Sequence, residues 1–153
     1  MTDADDRSER IPADLDAEGV VLSALLMGGM VKHYKALNEL GLVGRHFYSE
    51  ANGVIYEACV LLDEACDAVS VAGKLRETGQ LHRCGGTPYL ATLADTQPAT
   101  AHPEVHALTI IELWRRRKFL DVTARLGIQM RHGEVDARGA YLALREFYQE
   151  NRP

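Results

Sequence analysis

The sequence feature that most constrains the fold is a stretch of about 30 residues, PEVHALTIIELWRRRKFLDVTARLGIQMRHG, which begins at Pro103 and ends at Gly133. As one unbroken helix it would be roughly 45 Å long. Its apolar residues occupy too wide an arc for a single buried stripe (Val105, Leu108, Ile111, Trp114, Phe119, Val122, Leu126). The pattern therefore predicts a long helix with apolar contacts on two sides.

The rest of the chain is also typical of helices, because from Leu15 onward apolar residues recur at spacings of three and four. The last segment places Ala140, Tyr141, Leu144, Phe147 and Tyr148 on one face, as expected for a helix that folds back antiparallel on its predecessor. We predict an all-α fold, a small helical globule followed by a long antiparallel helical hairpin. The expected divisions are a flexible acidic leader over 1–11, a helical globular subdomain over 12–101 and the hairpin over 102–153.

Several helix boundaries are indicated by residues that favour helix ends. Asp14 or Asp16 can cap the first helix, Ser49 a later one and Ser70 the one after that. The sequence Thr-Gln-Pro at 96–98 should end the helix that precedes the long segment.

Composition restricts the class of protein. A chain of 153 residues is long enough for one domain with a proper core, and a net charge of -5 provides no overall attraction to nucleic acid or anionic membranes. Cys59, Cys66 and Cys84 cannot all pair and form no CxxC motif, which favours reduced thiols in a reducing compartment. Neither an export signal nor a run of about 18 apolar residues is present, so we expect a cytoplasmic protein without membrane contact.

No motif in the chain indicates catalysis or a cofactor. The phosphate-loop pattern GxxxxGK[ST] does not occur. His102 and His106 could face one metal ion, but zinc normally takes three or four ligands, so solvent-exposed histidines are the favoured interpretation. His82 and Cys84 have no partner pair, and Asp63 and Glu64 do not converge. We therefore predict no catalytic, cofactor-binding or metal site, and no enzymatic activity for this chain.

One basic cluster, Arg115 to Lys118, could bind phosphates. Successive helix residues point about 100° apart, however, so the four charges spread around the helix. Solvated side chains that pair with Glu112 or Asp121 are the favoured interpretation. Trp114 could be either an interface anchor or a core residue.

Three stretches, read in order, resemble the N-terminal domain of the DnaB-type replicative DNA helicases. They are IPADLDAEGVVLSALL, GRHFYSEANGVIYEACVLLDEA and VAGKLRETGQLHRCGGTPYLATLADTQPATA. The order of helix, Gly, Leu, a Gly-Gly pair, Tyr-Leu and a Thr-Pro break is similar to an interhelical turn of that family. The resemblance covers about Ile11 to Tyr148. Gly19, Gly28-Gly29-Met30 and the short hairpin tip RHGEV depart from the family pattern.

The resemblance implies a non-catalytic domain that forms the N-terminal collar of a hexameric helicase, pairs through its hairpins and offers a docking surface to primase or another replication protein. By analogy the interface would include hairpin residues (Ile111, Trp114, Phe119, Leu126, Leu144, Phe147). The chain would then associate with itself and contact DNA weakly or not at all.

The 153 residues hold no counterpart of the family's RecA-like ATPase motor. We expect the N-terminal domain of a full helicase, because linkers are natural domain boundaries. The alternatives are a free-standing adaptor or regulator of helicase or primase, a DNA-binding helical domain, and the helicase-binding domain of a primase.

Overall fold

A computed structural model of the chain describes residues 11–95 and 102–151. Within these ranges there are helices and turns but no strand, so the predicted all-α class is confirmed. The predicted leader, apart from Ile11, lies outside the described residues, as does the predicted break at 96–98. The helices are α1 (Leu15–Ala24), α2 (Met30–Glu39), α3 (Glu50–Leu62), α4 (Ala68–Glu77), α5 (Gly86–Asp95), α6 (Pro103–Arg131) and α7 (Ala137–Glu150).

Contacts divide the chain into two compact units. The first unit is Ala13–Glu112, and the second unit combines Met1–Pro12 with Leu113–Pro153. The sequence placed its boundary between 101 and 102, at the start of α6, whereas the contacts divide the chain within that helix. Ala107, Ile110 and Ile111 of α6 are buried in the core of the first unit.

The core of the first unit is built from α1 to α5 and these first turns of α6. Its largest fully buried side chains are apolar or aromatic, and they come from helices that are distant in sequence (Leu22, Leu25, Met30, Leu37, Ile55, Tyr56, Leu75, Leu90). Burial of this apolar surface is the main favourable free-energy term for the unit.

Side-chain caps start three of these helices. Asp14 caps α1 by accepting a hydrogen bond from the Ala17 backbone N at 2.8 Å, and Ser49 caps α3 as predicted. The predicted cap Ser70 is wrong. Asp67 caps α4 instead, because its carboxylate accepts a hydrogen bond from the backbone N of Ser70 at 2.7 Å, and Ser70 lies inside the first turn.

Two glycines let the segment before α3 lie directly against that helix. A Cβ at Gly53 would lie 2.5 Å from the carbonyl oxygen of Gly44, which is closer than such atoms approach. The contact is reinforced by the Gly44 backbone N, which donates to Glu57 Oε1 at 2.6 Å, and by the Tyr56 hydroxyl, which donates to the Leu42 carbonyl at 3.2 Å. Neither position tolerates a larger residue without a backbone shift.

The Gly-Gly pair at 85–86 forms the turn into α5. Gly85 has a φ of 82°, and a Cβ there would lie 2.8 Å from the Cβ of Tyr89. The turn places the Tyr89 hydroxyl 2.7 Å from Asn52 Oδ1 on α3. The glycines therefore serve packing between helices and do not surround a ligand-sized site.

Candidate interaction surface

The second unit contains a helical hairpin made of α6 from Leu113 onward and α7. Asp136 caps α7 by accepting a hydrogen bond from the Gly139 backbone N at 2.7 Å, so the connection between the helices is only five residues, 132–136. The rings of Phe119 and Phe147 lie 6.2 Å apart, which places the far end of α7 beside the middle of α6. The predicted antiparallel hairpin is thus confirmed.

Residues that pack inside the hairpin repeat every seven positions on each helix. Leu126 and Ala140 are 8% and 7% exposed, and each lies seven residues from Gly133 in the connection. Phe119 and Phe147 each lie fourteen residues from it. Seven-residue spacing keeps one seam of each helix toward the other, as in a short coiled coil.

A separate apolar stripe on α6 remains exposed. Leu120 and Ile128 are 55% and 51% exposed, and Ala124 between them is exposed as well. Their spacing of four residues places all three along one side of the helix, about 100° or more from the Phe119 side. We call Leu120, Ala124 and Ile128 the α6 stripe.

Two tyrosines form an exposed pair on α7. Tyr141 and Tyr148, 63% and 62% exposed, are seven residues apart and so lie on the same side of the helix. An aromatic ring with a polar hydroxyl suits a surface that is buried in a complex and exposed to solvent in the free chain. Such residues are enriched at protein interfaces.

The six residues predicted for the interface divide into three groups. Ile111 and Leu126 are 4% and 8% exposed and pack within this chain. Trp114, Leu144 and Phe147 are half-buried, and Phe119 is 45% exposed. Whether any of the last four meets another chain stays a prediction.

The α6 stripe was not predicted as an interface from the sequence, although the wide apolar arc of the long segment indicated that apolar residues would remain outside the hairpin. The arc indicated contacts on two sides but not which positions α7 would cover. Tyr141 and Tyr148 were placed on the apolar face of α7, and the structure leaves both exposed.

The basic cluster does not act as one patch in the described residues. Arg116 and Lys118 are exposed, whereas Arg117 Nη1 donates a hydrogen bond to the carbonyl oxygen of Pro12 at 2.6 Å. Arg117 therefore stabilises the second unit locally by holding the chain before α1.

The residues considered for chemistry all belong to the first unit. Nowhere in residues 11–95 and 102–151 do three His, Cys, Asp or Glu side chains come together as metal ligands. His82 is exposed while Cys84 is buried, and burial raises the pKa of the Cys84 thiol. Glu104, between His102 and His106, forms a hydrogen bond with His33 of α2, with Nδ1 and Oε1 2.6 Å apart.

A second candidate surface is a groove of about 550 Å³ in the first unit. It lies between α3, α4 and the segment before α3, with Phe47, Val54 and Leu75 among its lining residues. Leu61 also lines the groove and is 73% exposed.

No described helix is both long enough and apolar enough to cross a membrane. On the hairpin, charged residues such as Lys118 and Arg125 lie between the exposed apolar side chains.

The described residues form helices only and include a capped antiparallel hairpin, which places the chain in the class of all-helical domains. The particular family is shown by comparison, since the model of the DnaB-like helicase N-terminal domain matches residues 10–112. The chain belongs to this family, and the resemblance identified in its sequence is confirmed.

Individual relatives agree with this assignment. The replicative DNA helicase DnaB of Mycobacterium leprae (strain TN) is 33% identical over 145 residues, which are 92% of this chain and 23% of that protein. The replicative DNA helicase DnaB of Geobacillus stearothermophilus is 33% identical over 109 residues, 69% of this chain and 23% of that protein. This chain thus spans about a quarter of the length of these curated relatives.

A solved structure supports the fold over the same range. The crystal structure of the N-terminal domain of DnaB helicase from Mycobacterium tuberculosis superposes with a TM-score of 0.79 at 29% sequence identity. The match covers 92% of this chain and 99% of that one.

Proposed function

We propose that this chain is the non-catalytic N-terminal collar domain of a replicative DNA helicase, which associates with copies of itself through the α6–α7 hairpin and docks primase or another replication protein. Family membership supports the helicase context. The observation that carries self-association is the exposed α6 stripe.

The stripe suits association because it is apolar and continuous. Leu120 and Ile128 leave about half of each side chain in water, and covering apolar surface contributes roughly 25 cal/mol per Å² before the entropy of association is subtracted. Half-buried Trp114 and Phe147 would add aromatic contact area at the edges of such an interface.

The test is sedimentation equilibrium of the wild-type chain against Leu120→Glu and Ile128→Glu. A charge on the stripe would have to be desolvated in the complex, so each variant should weaken association by at least about tenfold. Val69→Glu is the matched control, because it places the same charge on an 82% exposed apolar residue of the first unit that lies outside the groove. A wild-type chain that stays monomeric at high micromolar concentration, or variants that associate as well as wild type, would contradict the proposal.

Docking of primase is a separate expectation and has a separate test. Calorimetric titration with the C-terminal domain of primase should give saturable binding to the wild-type chain. Absence of binding would contradict primase docking and would not affect the proposal of self-association.

The dependence of DNA affinity on salt concentration distinguishes a DNA-binding role from the proposed function. Binding to a fluorescent single-stranded oligonucleotide is expected to be weak or absent, because Arg117 is engaged with Pro12 and the remaining charges spread around α6. Affinity that is strong at low salt and falls steeply with ionic strength, and that Arg116→Ala and Lys118→Ala reduce, would favour the DNA-binding alternative.

A further inference from the structure

The outer side of α7 carries a regular pattern of basic and aromatic residues. Arg138, Tyr141, Arg145 and Tyr148 are spaced by three, four and three residues, and all four side chains are exposed. At about 100° per residue, this spacing keeps the four side chains within an arc of about 80°. We call these four residues the outer α7 seam, because alternating spacings of three and four are those of the a and d positions of a coiled coil.

The outer α7 seam is separate from the contacts that hold the hairpin together. Both of its arginines point about 140° or more away from Ala140 and Phe147, the α7 residues that pack toward α6. Its two tyrosines are 63% and 62% exposed, so the fold of one chain covers little of either ring. The seam therefore has the spacing of a helix-packing surface, and none of the described helices packs on it.

The charge of the seam restricts what can cover it. Arg138 and Arg145 lie seven residues apart, about 10 Å along the helix, and neither forms an ion pair with another residue that the structure describes. Glu146 and Glu150, the acidic residues of α7, point about 100° or more away from Arg145. A helix that packs along this seam must therefore bring acidic side chains at matching positions, because covering an arginine without a counter-charge is costly.

Two other occupants match the seam less well. Pairing it with the same seam of a second copy would bring four arginines together without an acid, and like charges that face each other are destabilising. Single-stranded nucleic acid also binds aromatic and basic side chains. However, two arginines neutralise few phosphates, and the whole chain has a net charge of -5. An acidic helix supplies both the opposite charges and a surface that packs along α7.

We propose that the outer α7 seam binds an amphipathic helix of a partner protein that carries acidic residues seven positions apart. The acids pair with Arg138 and Arg145, and apolar residues on the same side of the partner helix pack on the rings of Tyr141 and Tyr148. This proposal rests on the docking part of the proposed function and names the site and the chemistry of the partner. It does not depend on the α6 stripe.

Fluorescence anisotropy with a synthetic peptide tests the proposal. The Glu probe is a fluorescein-labelled helical peptide of three heptads, with glutamate at one seam position of each heptad and leucine at the other. The Gln probe has glutamine in place of each glutamate. The wild-type chain should bind the Glu probe saturably and about fivefold or more tightly than the Gln probe, because only the Glu probe forms charge pairs with the seam.

Charge reversal shows whether the contact is direct. The double variant Arg138→Glu/Arg145→Glu should bind the Glu probe at least about tenfold more weakly than wild type does. A third peptide, with lysine in place of each glutamate, should bind this variant more tightly than it binds wild type, which also shows that the variant is folded. Arg76→Glu is the matched control, because it reverses the charge of an exposed arginine on α4 and should leave the affinity for the Glu probe unchanged.

Equal binding of the Glu and Gln probes, or no binding of either, would overturn the proposal. A single-stranded oligonucleotide that binds wild type more tightly than the Glu probe does, and that the double variant no longer binds, would assign the seam to nucleic acid instead. Weaker self-association of the double variant in sedimentation, without binding of the Glu probe, would assign it to a second copy. Binding of primase without binding of the Glu probe would contradict this proposal alone, whereas absence of both would also contradict the docking part of the proposed function.

Discussion

Replacing Glu18 tests how a buried charge is held between helices. Glu18 is 2% exposed, and its carboxylate accepts hydrogen bonds from the Tyr48 backbone N at 2.5 Å, Asn52 Nδ2 at 2.8 Å and the Ser49 backbone N at 3.4 Å. The carboxylate of α1 therefore supplies at the start of α3 the acceptor that a glutamate three residues into α3 would otherwise provide. Asn52 in turn accepts from the Tyr89 hydroxyl at 2.7 Å, and burial raises the pKa of Tyr89 so that this hydroxyl stays a donor.

The cost of Glu18→Ala follows from the donors it leaves unpaired. The unpaired, buried Asn52 amide should lower the free energy of unfolding by about 1–3 kcal/mol. Each backbone N at the edge of the unit should lower it by about 0.5–1.5 kcal/mol, because water can partly replace the carboxylate. We expect a total near 4 kcal/mol for Glu18→Ala. Glu18→Gln keeps one acceptor oxygen but turns an NH₂ group toward a donor, so it should cost about 2 kcal/mol.

Urea unfolding followed by circular dichroism measures these differences, provided the slope against denaturant stays constant. Asp16→Ala is the matched control, since Asp16 is an exposed acid in the same first turn of α1 and should change stability by under about 0.5 kcal/mol. A loss below about 1 kcal/mol for Glu18→Ala, or equal losses at both positions, would refute the assigned role of the carboxylate.

Two further predictions concern packing and pH. Gly53→Ala should destabilise the chain by about 2–4 kcal/mol, because its Cβ would meet the Gly44 carbonyl. Gly73→Ala in α4 should stabilise the chain by about 0.5–1 kcal/mol, because a Cβ there has nothing within 4 Å. Thermal unfolding of both variants measures this contrast, and a loss of stability in both would contradict it. Burial acts to raise the pKa of Glu104, but the hydrogen bond with His33 prevails and lowers it. The stabilisation from this carboxylate is therefore present above the unfolded-state pKa of about 4.3 and is lost as pH falls through the folded-state pKa. The stability difference between wild type and Glu104→Gln should accordingly shrink below pH 4. A difference that does not depend on pH would contradict a stabilising role of the Glu104 carboxylate.

Local patterns predicted the elements of this fold well but chose wrongly between equivalent signals. The cap Ser49 was identified because a short polar side chain preceded an apolar helical repeat, whereas at α1 the same rule left Asp14 and Asp16 open and the structure uses Asp14. At α4 the same rule selected Ser70 alone, whereas the structure uses Asp67, which lies three residues earlier. Both residues are good caps, so the choice depends on how α3 ends, which the local sequence does not encode.

Contacts between distant segments account for what the sequence did not reveal. Glu18 reads in the sequence as an acid in the first turn of a helix, a common exposed position, and only the packing of α1 on α3 makes it a buried acceptor. Leu61 is the opposite case: it belongs to the apolar repeat of α3, which favours burial, yet it is 73% exposed. Periodicity gives the face of a helix that is apolar, but the neighbouring helices decide how much of that face they cover.

The long segment combines two packing roles and one exposed surface, and this explains its wide apolar arc. In its first turns Ala107, Ile110 and Ile111 belong to the core of the first unit, whereas Phe119 and Leu126 belong to the hairpin. Read as a single helix, the segment merges these positions into one broad pattern. Neither role involves the α6 stripe, and the fold of one chain leaves the apolar character of Leu120 and Ile128 unexplained, as it does for Val105 and Leu108 near the start of α6. For that reason self-association should depend on the stripe, and Ile111, selected from the same arc, should affect folding instead.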